Sequence, residues 1–147
     1  MFVRSTKPEK GNKYFIRKAS GGFSTCIKGS PTDPISDVLA NCVGFANGAF
    51  NEALGLGYEK YPLNCNAENF IERAISLGLK VQLKPVKGGI MVWKKGATLN
   101  GSDGAGHVAY VSKDESEMGA DKVYTSESGY GSSAFWNTTR SKGNGNW

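Results

Sequence analysis

The sequence has one histidine, three cysteines and no long apolar run, and each scarcity excludes a class of protein. One histidine is too few for a Cys/His zinc site, and three cysteines do not make a disulfide framework in 147 residues. No stretch approaches the roughly 18 apolar residues of a membrane-spanning helix. No run of Lys and Arg is dense enough to indicate nucleic-acid binding. We therefore expect a single globular domain with no membrane insertion and no nucleic-acid partner.

The charge balance leaves two interpretations open. Basic residues outnumber acidic ones by 18 to 13, a formal net charge of +5. The excess is either a solvated surface or an attraction to a polyanion such as an anionic cell wall. The first ten residues contain no apolar segment of the signal-peptide kind, so we expect synthesis in the cytosol without a signal peptide.

The stretch 41–54 predicts a helix around which the rest of the chain is organised. Its apolar residues recur at a helical period, with Asn41 as N-cap and Gly55 or Gly57 as the end. Cys42 then lies in the first turn, where free amides and the helix dipole favour a thiolate, the nucleophilic form of cysteine. The alternative is that Cys42 is a small core residue on a buried helix.

Two glycines lie one turn apart on this helix, on the face opposite the apolar stripe. Gly44 and Gly48 each cost about 1 kcal/mol of helix propensity relative to Ala. Either they allow a neighbouring segment to approach closely, or the helix simply tolerates them.

The remaining chain predicts one more helix and several short strands. Residues 1–33 are polar and irregular, an N-terminal arm before a core of about 35–147. A helix over 67–77 is expected to be capped by Asn66 and stopped by Gly78. The hydrophobic period then changes from about 3.6 to about 2, which predicts strands joined without crossover helices. These strands cover 79–84, 90–93, 106–112 and 122–127, with one or two more in 128–147. The order predicts an α+β domain with an antiparallel sheet.

The sole histidine and a carboxylate fall on two consecutive predicted strands. If the turn between 106–112 and 122–127 is symmetric, Val111 faces Val123, Ala109 faces Thr125 and His107 faces Glu127. All six side chains then share one face, and a hydrogen bond between His107 and Glu127 follows from the register. The alternative for His107 is a strand histidine with a satisfied partner.

These residues suggest catalytic roles when they are combined with the helical cysteine. Cys42 attacks a carbonyl carbon, and His107 takes the thiol proton and returns it to the leaving amine. Glu127 orients the imidazole and stabilises its charged form. The backbone amide of Cys42 is a candidate donor to the oxyanion.

Four segments of the chain resemble the CHAP family (cysteine, histidine-dependent amidohydrolase/peptidase) over about residues 35 to 147. They read Asn-Cys-Val-Gly-Phe-Ala, Gly-Gly-Ile-Met-Val-Trp, Gly-His-Val-Ala-Tyr-Val and Ser-Glu-Ser-Gly. The resemblance implies a papain-like fold, with helices packed on a mostly antiparallel sheet, and cleavage of amide bonds in peptidoglycan. By position it makes Cys42 the nucleophile, His107 the base and Glu127 the orienting residue.

The chain departs from the family pattern at several positions. Many members have Gly-Asp in the Trp strand, where this chain has Gly88-Gly89, and many have Asn at the position of Gly129. Some phage members bind Ca²⁺ through an acid-rich loop before the cysteine, which Asp33 and Asp37 only faintly resemble. We expect these to be surface carboxylates and predict no cofactor and no metal, with Ca²⁺ as the alternative.

The predicted substrate is bacterial peptidoglycan, and three aromatic residues are candidates to contact its glycan or stem peptide. They are Trp93, Tyr130 and Trp136, with a core position as the alternative for Trp93 and Trp136. The resemblance favours a monomeric, endolysin-like hydrolase, an endopeptidase or N-acetylmuramoyl-L-alanine amidase. Such an enzyme is made in the host cytoplasm and reaches the wall after holin-type release. The alternatives are a cysteine peptidase or amidase with a non-wall substrate, and a non-catalytic wall-binding module.

Overall fold

The computed structural model describes residues 6–17, 32, 37–56, 60–94, 106–129, 135–143 and 145–147. These residues form an α+β domain whose sheet has four antiparallel strands in the order β1-β2-β3-β4. The α+β class with an antiparallel sheet is therefore confirmed. The helices are α1 (Cys42–Leu54), a 3-10 turn (Ala67–Asn69) that leads into α2 (Phe70–Ser76), and α3 (Glu115–Met118). The strands are β1 (Ile90–Trp93), β2 (His107–Lys113), β3 (Lys122–Ser128) and β4 (Phe135–Ser141).

Helix α1 begins and ends as the sequence predicts. The side-chain oxygen of Asn41 accepts hydrogen bonds from the amides of Val43 and Gly44, and Gly55 ends the helix in the left-handed conformation. The predicted polar face is buried as well. On this face the side-chain oxygen of Asn47 accepts a hydrogen bond from the backbone amide of Leu63, which satisfies the buried polar group. Helix α1 is therefore a core element on almost every side.

The sheet uses one face for α1 and the other for a smaller cluster. Strand alternation sends Val108 and Tyr110 to the α1 face, whereas Ala109 and Val111 point to the opposite face. The chain terminus packs on that opposite face, where Trp147 covers Met91 and its neighbours. His107, as the first residue of β2, lies at the end of the sheet.

The N-terminal segment contributes to the hydrophobic core, so the core includes residues before position 35. Phe15 and Ile16 are buried, and the amide of Leu39 donates to the carbonyl oxygen of Ile16 at 2.8 Å. The ring of Phe15 lies directly over Gly48, so that an added Cβ at this glycine would be 2.5 Å from a ring carbon. Close approach of a neighbouring segment is thus the reason for glycine at position 48.

The region of the second helix differs from prediction at its start and after its end. The first turn is a 3-10 turn, and the side chain of Asn66 makes no capping hydrogen bond. Gly78 ends the helix with a positive φ of 76°, as expected. The predicted strand 79–84 is wrong, since these residues form no strand and Leu83 is 96% exposed. Alternation of apolar and polar residues does not make a strand without a partner strand to pair with. The backbone that pairs with Val111 is instead that of residues 88 and 89.

The hairpin of β2 and β3 has the predicted side-chain parity but a different register. Tyr110 lies opposite Ser126 and Val111 opposite Thr125, which is two residues from the predicted pairing. The connection is not symmetric, because it contains helix α3 and the ladder is irregular between Val111 and Lys113. A shift of two residues keeps every side chain on its predicted face.

No helix among the described residues is long and apolar enough to cross a membrane.

Candidate active site

Cys42 is the first residue of α1 and holds a free, half-buried thiol. The Asn41 cap takes up the amides of Val43 and Gly44, which fixes the direction in which the helix starts. The thiol lies near enough to the side chain of His107, the first residue of β2, to raise the pKa of that histidine. The predicted nucleophile and base therefore meet at a junction of helix start and strand start.

His107 links the thiol to a carboxylate. Its Nε2 lies 2.7 Å from Oε2 of Glu127, so the remaining ring nitrogen, Nδ1, is the one available to Cys42. Burial disfavours the imidazolium and by itself would lower the pKa of His107. The hydrogen bonds to Cys42 and Glu127, together with their charges, outweigh burial and raise that pKa to about 9. The histidine is therefore protonated at neutral pH.

Glu127 is fully buried and every partner of its carboxylate is a donor. Arg140 donates from Nε to Oε1 at 2.8 Å and from a terminal nitrogen to Oε2 at 2.9 Å. The hydroxyl of Thr125 donates to Oε1 at 2.6 Å. Burial by itself would raise the pKa of the Glu127 carboxyl. The hydrogen bonds from His107, Arg140 and Thr125, with the charge of the guanidinium, outweigh burial and lower the pKa to about 2.

Arg140 and Thr125 are functional candidates that the sequence analysis missed. Thr125 lies two residues before Glu127, and strand alternation puts it on the same face, so a signal was present. Arg140 pairs across the sheet with Val123, four residues from Glu127 along β3. Its contact with Glu127 depends on where β4 begins and on its register with β3. The sequence holds no comparable signal for either.

The imidazole lies between two tryptophans that the sequence analysis named as substrate contacts. Trp93 is 3% exposed, with its ring centroid 5.7 Å from that of His107 and its Nε1 donating to the carbonyl oxygen of Gly145. This burial corresponds to the core alternative and leaves Trp93 no open face for substrate. Trp136 is 38% exposed and nearly parallel to the imidazole, at 6.2 Å and 5°.

Gly129 packs against the side chain of Trp136. An added Cβ at Gly129 would lie 3.4 Å from two carbons of the Trp136 ring. The departure from Asn at position 129 therefore accompanies a tryptophan packed against the backbone. Tyr130 lies outside the described residues.

Gly106 places His107 at the start of β2. It has a φ of +79°, and an added Cβ would be 2.3 Å from the carbonyl oxygen of Trp93. Only glycine adopts this conformation readily and leaves this space, so the Gly-His pair is a structural requirement of the site.

Of the two carboxylates weighed as calcium ligands, the structure describes only Asp37. Asp37 accepts a hydrogen bond from the amide of Gly11, and Asp33 is outside the described residues. Within the part of the chain that the structure describes, no group of three or more His, Cys, Asp or Glu side chains could hold a metal ion.

The arrangement can hold an imidazolium between a sulfur and a carboxylate, with one tryptophan beneath and another at the surface. An imidazole held by a carboxylate can deliver and accept a proton beside a nucleophile.

Comparison with known proteins identifies a family but no individual relative. No curated protein matches the chain, and no solved structure matches it. The family model for the CHAP domain matches residues 33–129, which include Cys42, His107 and Glu127. CHAP domains are typically hydrolases, amidases or peptidases, with peptidoglycan as their general substrate. Since the match covers most of its length, the chain belongs to the CHAP family.

Proposed function

We propose that this protein hydrolyses an amide bond of peptidoglycan with Cys42 as the nucleophile. The observation that carries the proposal is the arrangement of His107, which is hydrogen bonded to Glu127 at 2.7 Å and has its pKa raised by Cys42 on its other side. A structural cysteine on a buried helix has no need of a charged imidazole that is itself held by a buried carboxylate.

The first half of the reaction forms an acyl-enzyme. The sulfur of Cys42, whose proton has already passed to His107, attacks the carbonyl carbon, and the resulting oxyanion accepts a hydrogen bond from the Cys42 backbone amide. His107 donates the proton on Nδ1 to the nitrogen of the scissile amide as that bond breaks. The amine leaves, and the acyl group remains on sulfur as a thioester.

The second half restores the enzyme. Neutral His107 takes a proton from water, and the hydroxide attacks the thioester carbonyl. The carboxylic acid product leaves, and the sulfur returns to its ion pair with the imidazolium. Glu127 orients the ring through Nε2 in both halves and stabilises its positive charge.

The biological setting that we propose is lysis of a bacterial wall by an endolysin-like enzyme made in the host cytoplasm. The net charge of +5 supports attraction to an anionic wall, where it raises the local concentration of the enzyme. The exposed face of Trp136, next to His107, supports a contact to glycan or stem peptide.

Mass spectrometry of fragments released from purified Gram-positive sacculi tests the proposal. The wild type should release products that carry new amino termini or free stem peptides, which also identify the bond. Cys42→Ala should release none. Cys65→Ala is the matched control, because Cys65 is also a half-buried cysteine but packs against the core cluster around Phe70.

The outcomes separate the alternatives. Equal release by the wild type and Cys42→Ala would exclude cysteine catalysis. No release by the wild type from several wall chemistries would exclude the wall as substrate and favour a protein substrate or a binding role.

A further inference from the structure

We infer that Arg140 is a positioning residue that keeps the Glu127 carboxylate ionised and fixed against His107. This inference deepens the proposed function and rests on it. Arg140 lies beyond residues 33–129, the range that the family model matches.

The geometry of the guanidinium is that of a clamp on the carboxylate. Two nitrogens of Arg140 each meet a different oxygen of Glu127, at 2.8 and 2.9 Å. Two parallel charge-assisted bonds fix the plane of the carboxylate as well as its position. Since Oε2 is also the atom that meets Nε2 of His107, the orientation of the imidazole depends on this plane.

The guanidinium is itself fixed by its surroundings. Its central carbon lies 4.7 Å from the centroid of the Trp93 ring, and the Trp93 indole donates to the carbonyl oxygen of Gly145. A terminal nitrogen of Arg140 also meets the side-chain oxygen of Asn146 at 3.5 Å. The residues after β4 thus help to hold the guanidinium of Arg140 in place, Asn146 directly and Gly145 through Trp93. Trp93 contacts both Arg140 and His107, which makes it part of the same support.

The charges that meet Glu127 come from two neighbouring strands. His107 faces it from β2 and Arg140 from β4, whereas Thr125 on its own strand and Trp136 opposite carry no charge. With Arg140 removed, a fully buried carboxylate would depend on the imidazolium and one hydroxyl. Burial would then favour the protonated form of Glu127, which cannot stabilise an imidazolium.

The test compares Arg140→Gln with the wild type by NMR, following the ring proton between the two nitrogens of the only histidine. Protonation of Glu127 produces an inflection on the acid side of this titration. In Arg140→Gln we expect that inflection to move up by about 1–3 pH units, with circular dichroism restricting the comparison to folded protein. The same upward movement should appear in the acid limb of kcat/KM, with kcat about 10- to 100-fold lower.

Two further variants separate positioning from general stability. Arg140→Lys keeps the charge and should return the acid inflection most of the way to its wild-type position, without restoring the full rate. Arg73→Gln is the control, because this arginine of α2 donates to the carbonyl oxygen of Pro62 and can affect stability alone.

The inference is overturned if Arg140→Gln lowers stability but leaves the acid inflection and the shape of the pH profile unchanged. The NMR titration needs no substrate. It therefore tests Arg140 even if the wild type fails to release wall fragments, a result that would count against the proposed function alone.

Discussion

His107 and Glu127 are hydrogen bonded at 2.7 Å although they are not directly opposite each other across β2 and β3. Continuing the observed register from the pair Tyr110 and Ser126 places Ala109 opposite Glu127. The imidazole and the carboxylate therefore meet diagonally on one face, within the reach of side chains of this length. His107 thus contacts the carboxylate from the side of β2, and Arg140 contacts it from the side of β4.

The pKa of His107 depends on the thiol and should fall in Cys42→Ala. The wild type should titrate near pH 9, and loss of the Cys42 hydrogen bond and charge should lower this pKa by about 1–3 units, since burial remains. The single histidine gives one resonance to follow by NMR. An unchanged midpoint in the variant would mean that thiol and imidazole are not coupled.

The same raised pKa sets the alkaline limit of activity and of stability. In the wild type, kcat/KM should fall as pH rises through about 9, because His107 then lacks the proton for the leaving amine. The stabilisation from the charged histidine should be complete below its unfolded pKa of about 6.5 and lost as pH rises through the folded value. Urea unfolding at pH 6 and pH 9.5 measures this loss, and Cys42→Ala should show a smaller one.

Glu127→Gln should leave a folded protein with a residual rate. The amide keeps the size of the side chain but removes the charge that stabilises the imidazolium, so we expect kcat/KM to fall about 10²- to 10⁴-fold. Arg140, which is only partly buried, would lose its counter-charge, at a cost of about 1–3 kcal/mol in the free energy of unfolding. Steady-state kinetics and urea unfolding test the two effects, and full activity would exclude the role of Glu127.

Gly106→Ala should abolish activity through the backbone before His107. The new Cβ would overlap the carbonyl oxygen of Trp93, and the φ of +79° would add about 1–2 kcal/mol of strain. Gly78→Ala is the matched control, because its φ of +76° is similar but an added Cβ meets nothing within 4 Å. We expect the control to lose stability and keep its rate. Equal rates in the two variants would contradict the requirement for space at Gly106.

Gly48→Ala should destabilise the protein although alanine is the better helix former. The added methyl group would enter the ring of Phe15, at a cost of about 1–3 kcal/mol. In a Phe15→Ala background the overlap is absent, and the same change should instead stabilise by about 1 kcal/mol. A double-mutant cycle by urea unfolding measures the coupling, and additive effects would show that Phe15 does not restrict position 48.

Local signals were sufficient for the elements that carry the central residues. Asn41 and Gly55 delimit α1 because a cap and a left-handed glycine act within one turn. The alternation along β2 and β3 put His107 and Glu127 on one face, and a register error of two residues left that parity intact. The strand 79–84 failed for the opposite reason, since alternation there had no partner strand to pair with.

The sequence by itself determined the helix that begins at Cys42 and the shared face of His107 and Glu127, because capping and side-chain period are local properties. Only the tertiary structure decided which residues complete the site. Arg140 reaches Glu127 from a third strand, and Phe15 reaches Gly48 from the N-terminal segment. Such contacts depend on strand order and on packing between distant segments, which no local pattern of residues encodes.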